Sequence, residues 1–156
     1  MAIKPATDLV TPFAHTLPTG EDDLDYALRT RVVHVRLPAD AMANTQTEHR
    51  LLFTDADIVL QSVKILPEAT TAANNMDYAV LNVASGDLAG GALATPIASP
   101  DTRAASLNGL ASNVAKTLFA GSSAVAASRR LSLNVTKAGA GQVVGACTIQ
   151  VVYKVA

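Results

Sequence analysis

The chain has no tryptophan and only three tyrosines and three phenylalanines, so aromatic residues make up 4% of its 156 positions. Surfaces that bind sugars or single-stranded nucleic acid commonly stack their ligands on aromatic rings, and both functions fit this composition poorly. A single cysteine, Cys147, excludes an intrachain disulfide framework. Its place in an alternating segment reads as a small buried side chain rather than a reactive thiol. Charged residues are 16% of the chain, against about 25% in an ordinary soluble domain. The net charge of -1 gives no general attraction to nucleic acid or anionic lipid. No run approaches the roughly 18 apolar residues of a membrane span. The first residues lack the apolar core of a secretory signal, so no Sec export is expected.

What is abundant is apolar and small. Hydrophobic residues are 49% of the chain, enough for the core of one domain. A weakly charged surface suits a protein that buries much of itself against partners. The clearest pattern is the closing stretch RRLSLNVTKAGAGQVVGACTIQVVYKVA. Leu131, Leu133 and Val135 alternate with Ser132, Asn134 and Thr136, and Ile149, Val151 and Tyr153 alternate with polar or smaller residues. A period of two places one set on a buried face. We read two strands joined by a Gly/Ala-rich hairpin turn, with the last strand in the core.

Other strands are predicted over 30–37, ended by Pro38, and over 48–54, followed by the turn Asp55-Ala56-Asp57. Next come 58–66, ended by Pro67, and 78–84, followed by a turn at Ser85-Gly86-Asp87. A weak strand is predicted over 92–98. The segment 58–66 has imperfect sidedness, since each of its faces mixes apolar and polar residues. One helical turn fits 39–43. The segment 104–119 is ambiguous: apolar residues at 107, 110, 114 and 118 have helical spacing, but Asn108-Gly109 is a turn signal. Short strands are favoured there, with a short helix left open. Gly121-Ser122-Ser123 is read as the turn into the closing hairpin. About eight strands without a long helix predict an all-β fold, an antiparallel β-sandwich that is jelly-roll-like.

Residues 1–28 differ from the rest. Pro5, Pro12 and Pro18 fix φ and remove backbone donors, which predicts an extended N-terminal arm ahead of a sandwich domain over 29–156. The acidic cluster Glu21, Asp22, Asp23 and Asp25 follows. The arm is expected to reach onto a neighbouring subunit, the alternative being that it packs on its own domain. Pro5, Pro12, Phe13, Pro18, Asp22 and Asp23 are its candidate partner-binding residues.

Motifs that carry chemistry are missing. Gly139, Gly141 and Gly145 approach a dinucleotide fingerprint, but a strand follows them, and a phosphate site of that class needs a helix N-terminus. His15, His34 and His49 have no short ligand spacing. Asp55 and Asp57 lack the rest of a calcium loop. Ser122 and Ser123 have no base or orienting acid near them in sequence. Asn134-Val135-Thr136 is a glycosylation sequon inside a predicted strand. No enzymatic activity, cofactor or metal is expected.

The segments TRVVHVRLP, IVLQSVKILPEATT and LSLNVTKAGAGQVVGACTIQVVYK together resemble the capsid decoration, or cement, proteins of tailed bacteriophages. Many phage head proteins have such a β-rich ending, with a Gly/Ala turn before a last strand of V-x-V-x-Y type. The resemblance covers roughly residues 30–156. It implies a jelly-roll-like homotrimer on the outer surface of a capsid, made in the host cytoplasm. It also implies the major capsid protein as partner, bound across capsomer seams so that the DNA-filled head is stabilised. Nucleic acid and membrane are not implied as partners. The alternatives are another virion component, such as a head-fibre base, collar or tail protein, and a glycan-binding adhesion module.

Overall fold

The computed structural model describes residues 30–39, 47–90, 92–93 and 95–156. The candidate arm residues Pro5, Pro12, Phe13, Pro18, Asp22 and Asp23, and most of the expected helical turn at 39–43, lie outside these. Eight strands follow in chain order: β1 (Thr30–Leu37), β2 (Thr47–Thr54), β3 (Ile58–Pro67), β4 (Tyr78–Asp87), β5 (Thr95–Ala98), β6 (Lys116–Val125), β7 (Arg129–Ala138) and β8 (Cys147–Val155). They form two antiparallel four-stranded sheets, β1-β8-β3-β6 and β2-β7-β4-β5.

The pairing has a simple logic. β1 lies beside β8, β2 beside β7, β3 beside β6 and β4 beside β5. The chain is thus one long hairpin, its first four strands running against its last four. Rolling that hairpin places successive pairs alternately in the two sheets, and the β3–β8 and β4–β7 pairings close each sheet. This is the jelly roll, two interlocked Greek keys.

The core lies between the sheets. Leu60, Val63, Ile65, Ile149 and Val151 from one sheet face Leu81, Val83, Leu131, Leu133 and Val135 from the other, and none exposes more than 2% of its surface. Each such burial contributes about 1.5–3 kcal/mol. Cys147 is buried at the edge of the same cluster, as its alternation predicts.

Strand β3 explains its own mixed faces. Ile58 and Leu60 point inward, and then Val63, Ile65 and Pro67 do. Between them the registers with both β8 and β6 slip at Leu60/Ser62. A bulge here moves the buried set from even to odd positions.

Four expectations need correction. Strands β7 and β8 do not form a hairpin: β7 lies between β2 and β4, β8 lies between β1 and β3, and residues 139–146 carry the chain from one sheet to the other. Gly121-Ser122-Ser123 is not a turn but the irregular middle of β6, opposite the β3 bulge. Ser85-Gly86-Asp87 is likewise not a turn. It continues β4, registered against Leu131, Arg130 and Arg129. Residues 104–115 are neither strand nor helix. They belong to a long connection, tied down at two isolated bridges, Val80–Asp101 and Thr71–Leu110.

Candidate functional site

The rolled hairpin sorts the connections by length. Short turns at 55–57 and 126–128, with residues 88–90 that follow β4, sit at one end of the sandwich. The longer connections 68–77, 99–115 and 139–146 all leave from the other end. Loops positioned by a rigid scaffold are where binding residues concentrate.

Here the three long loops are joined into a slab. Thr71 and Leu110 exchange backbone hydrogen bonds of 2.7 and 2.8 Å, and Glu68 N donates to the Ala146 carbonyl at 2.8 Å. The Gln142 carboxamide ties all three together: its Oε1 accepts from the Thr102 hydroxyl at 2.6 Å and its Nε2 donates to the Ala72 carbonyl at 2.7 Å. Asp77 Oδ1 accepts from Ala140 N at 2.7 Å. Ser112 Oγ donates to the Glu68 carbonyl at 2.8 Å. Underneath, Leu107, Leu110 and Val144 are buried in the core. On top, Met76, Val114 and Val143 expose 81%, 49% and 53% of their surfaces. Ordering a loop residue costs about 1–2 kcal/mol of backbone entropy. A surface ordered in advance does not incur that cost again when it binds.

The slab is anchored by an ion pair at its base. Asp101 is buried, and its carboxylate receives the Arg103 guanidinium at 2.6 Å and the Arg103 backbone N–H at 3.0 Å. The same guanidinium lies 4.4 Å from the centre of the Tyr78 ring. The hydrogen bond from Arg103 holds the Asp101 carboxyl below its ordinary value, against the opposing effect of burial. A carboxyl depressed in the folded state binds fewer protons there than in the unfolded state, so its stabilisation is present above the ordinary value and lost as pH falls through the folded one. Thermal unfolding followed from pH 6 to pH 2.5 is therefore expected to show a falling Tm, and Asp101→Asn to flatten that fall. An Asp101→Asn curve parallel to wild type would refute the assignment.

A second polar group lies on the other face of the β2-β7-β4-β5 sheet. Arg130 is buried, with Nε on Glu48 Oε1 at 2.8 Å, and Ser132 Oγ donates to the same oxygen at 2.8 Å. Arg130 also donates to the Asp87 carbonyl, and Arg129 pairs with the Asp87 carboxylate. These contacts account for the strand continuing through Ser85-Gly86-Asp87.

Residues that could suggest catalysis are scattered. Ser122 and Ser123 are on the edge strand β6, His34 on β1 and His49 on β2. Among the described residues no cluster of three or more His, Cys, Asp and Glu is placed to hold a metal ion. Asn134 of the sequon is 3% exposed in the interior strand β7 and cannot be glycosylated in this fold. Thr71, Thr102, Ser112 and Gln142, which build the slab, carry no sequence signal beyond lying among turn-forming residues. No protein-family model matches the chain, and no curated protein matches it.

Proposed function

We propose that the chain is a structural protein of a virion, a decoration protein on the outside of a bacteriophage head that binds the major capsid protein across capsomer seams. The observation that carries this reading is the lopsided sandwich. One end is a hydrogen-bonded slab of three loops that holds Met76, Val114 and Val143 outward. Pre-ordered apolar tops on a charge-poor surface suit burial against another protein. Binding only the assembled shell stabilises the shell by mass action. Repetition over symmetry-related sites lets each contact be modest. A homotrimer at threefold positions is the assembly that the family resemblance suggests.

Sedimentation of the full chain, then co-sedimentation with heads of the phage whose genome encodes it, tests this. A trimer that pellets with heads supports the proposal, and a monomer that stays in the supernatant overturns it. The double substitution Met76→Asp with Val143→Asp is expected to lower head occupancy about tenfold or more. Its Tm should stay within about 2 °C of wild type, because both side chains are already solvated. Unchanged occupancy would move the contact away from the loop end.

A further inference from the structure

The pair Asn108-Gly109 carries a chemistry that needs no other residue. A glycine after asparagine leaves the peptide nitrogen open to the asparagine side chain, since no Cβ stands in the way. The Gly109 nitrogen can attack Asn108 Cγ. The N–Cγ bond forms, the nitrogen's proton passes to solvent, and Nδ2 leaves as ammonia. The product is a five-membered imide. Water that opens its bond to Cγ leaves aspartate in the ordinary main chain. Water that opens its bond to the original carbonyl carbon leaves isoaspartate, whose main chain runs through Cβ and is one carbon longer. Of the chain's asparagines, only Asn108 is followed by glycine.

In the fold this attack is blocked by the backbone and not by burial, since Asn108 is exposed. Asn108 is left-handed, with φ of 53°. In that region ψ lies near about +47°, which puts the Gly109 nitrogen on the far side of the Cα–C bond from the Asn108 side chain. Attack needs the reacting atoms aligned and within about 3–3.5 Å. The peptide plane between residues 108 and 109 must therefore rotate, and it is clamped. Gly109 N donates to the Thr102 carbonyl at 3.1 Å. On either side, Asn108 N donates to the Arg103 carbonyl at 2.9 Å and Leu110 N to the Thr71 carbonyl at 2.8 Å. Gln142 bridges Thr102 to Ala72, the neighbour of Thr71, so one side chain fastens both clamps.

We propose that Asn108 is a self-modification site controlled by the loop slab: it converts to isoaspartate only when the slab opens, and the product keeps the slab open. The second half follows from the packing at Gly109. A Cβ there would lie 2.6 Å from the Thr71 carbonyl oxygen and 2.8 Å from Ala73 N. A main chain longer by one bond of about 1.5 Å drives Gly109 toward the same fixed atoms, at the place where Thr71 and Leu110 bridge. Local opening of a fold is ordinarily reversible. Here ammonia leaves, so an opening that leads to reaction is recorded permanently at one residue. The inference does not rest on the capsid reading, since it concerns the chemistry of the slab and not what binds it.

The test follows Asn108 in the full chain at mildly alkaline pH by peptide mass mapping, with isoaspartate read by enzymatic methylation. Unfolded in guanidinium chloride, Asn108 is expected to convert about tenfold or more faster than in the folded chain. Below the unfolding transition, its rate should rise in step with hydrogen exchange at the Leu110 amide, a comparison that needs no variant. Gln142→Ala, which removes two hydrogen bonds from the slab, is expected to speed conversion in the folded chain about tenfold. Asn113 is the internal control: it is left-handed too, with φ of 58°, but Val114 follows it, and it should stay an amide. Equal rates in the folded and unfolded chains would overturn the proposal, as would a rate indifferent to Leu110 exchange or to Gln142→Ala. The product is read separately. The isoaspartyl chain, made in denaturant and refolded, should exchange the Thr71 and Leu110 amides faster than wild type. Asn108→Asp, with the same charge on an ordinary main chain, should not. Wild-type exchange in the isoaspartyl chain would overturn the claim that the product holds the slab open.

Discussion

Glu48→Ala is expected to lower the unfolding free energy by about 3 kcal/mol, because it leaves a charge behind in the wrong place. The two partners are unequally buried: the Arg130 side chain is 3% exposed and the Glu48 side chain 32%. Arginine cannot shed its proton to escape burial. Without Glu48, the Arg130 guanidinium keeps the Asp87 carbonyl but loses the carboxylate 2.8 Å from its Nε. The Ser132 hydroxyl loses its acceptor at the same time. At roughly 2–4 °C per kcal/mol for a chain of this size, Tm should fall by about 6–12 °C. The double variant Glu48→Ala with Arg130→Met removes both charges and fills the volume with an apolar chain, so it should regain most of the loss. Chemical denaturation of the four members of this cycle isolates the coupling. Equal losses in the single and double variants would show that the pair's charge is not the cause.

The same pair has a pH signature. Burial raises the Glu48 carboxyl, but hydrogen bonds from Arg130 and Ser132, with the positive charges of Arg130 and Arg50, outweigh that and hold it below its ordinary value of 4.5. The Glu48 contribution is therefore in place above pH 4.5 and fades as pH falls through the lowered folded value. The gap in Tm between wild type and Glu48→Ala should be widest near neutral pH and should narrow in acid.

The elements whose signal is local were legible in the sequence. The alternation of Leu131, Leu133 and Val135, and of Ile149 and Val151, names buried residues correctly. Asp55-Ala56-Asp57 does turn the chain. What local reading missed are properties of pairs of strands. Leu60 and Val63 both point inward only because a bulge falls between them, and that bulge is defined by β6 and β8. The turn between β6 and β7 is Ala126-Ala127-Ser128, which has no glycine or proline to announce it. It is held from outside, by Asp57 Oδ1 accepting from Ala127 N at 2.7 Å and by Thr54 Oγ1 donating to the Ala126 carbonyl at 2.8 Å. The glycine and serines that look like that turn sit inside β6. Gly139 and Gly141 do mark a reversal, but whether a reversal returns within one sheet or crosses to the other depends on where β2 and β1 lie. The loop slab was unreadable for the same reason: Gln142 reaches Thr102 and Ala72, far away in the sequence, and nothing about a lone glutamine signals this.

Asn108-Gly109 is the exception, a local signal inside the slab that proves decisive there. Both residues adopt left-handed backbone, with φ of 53° and 71°, as the dipeptide suggests. A Cβ at Gly109 would lie 2.6 Å from the Thr71 carbonyl oxygen and 2.8 Å from Ala73 N, both backbone atoms that cannot rotate away. Gly109→Ala thus combines the left-handed penalty of about 1–2 kcal/mol with a clash at the place where Thr71 and Leu110 bridge. A total near 3 kcal/mol is expected, since the bridge must open to relieve it. Gly90→Ala is the matched control: φ there is 93°, but nothing lies within 4 Å of the added carbon. Its cost should stay near the conformational part alone, about 1 kcal/mol. The two alanine variants, compared by chemical denaturation, separate backbone strain from packing. Faster amide exchange at Thr71 and Leu110 in Gly109→Ala, with the strands unchanged, would place the damage in the slab. Equal costs at the two glycines would mean that the loops give way easily, and that the end bearing Met76 and Val143 is not rigid enough to serve as a preformed contact surface.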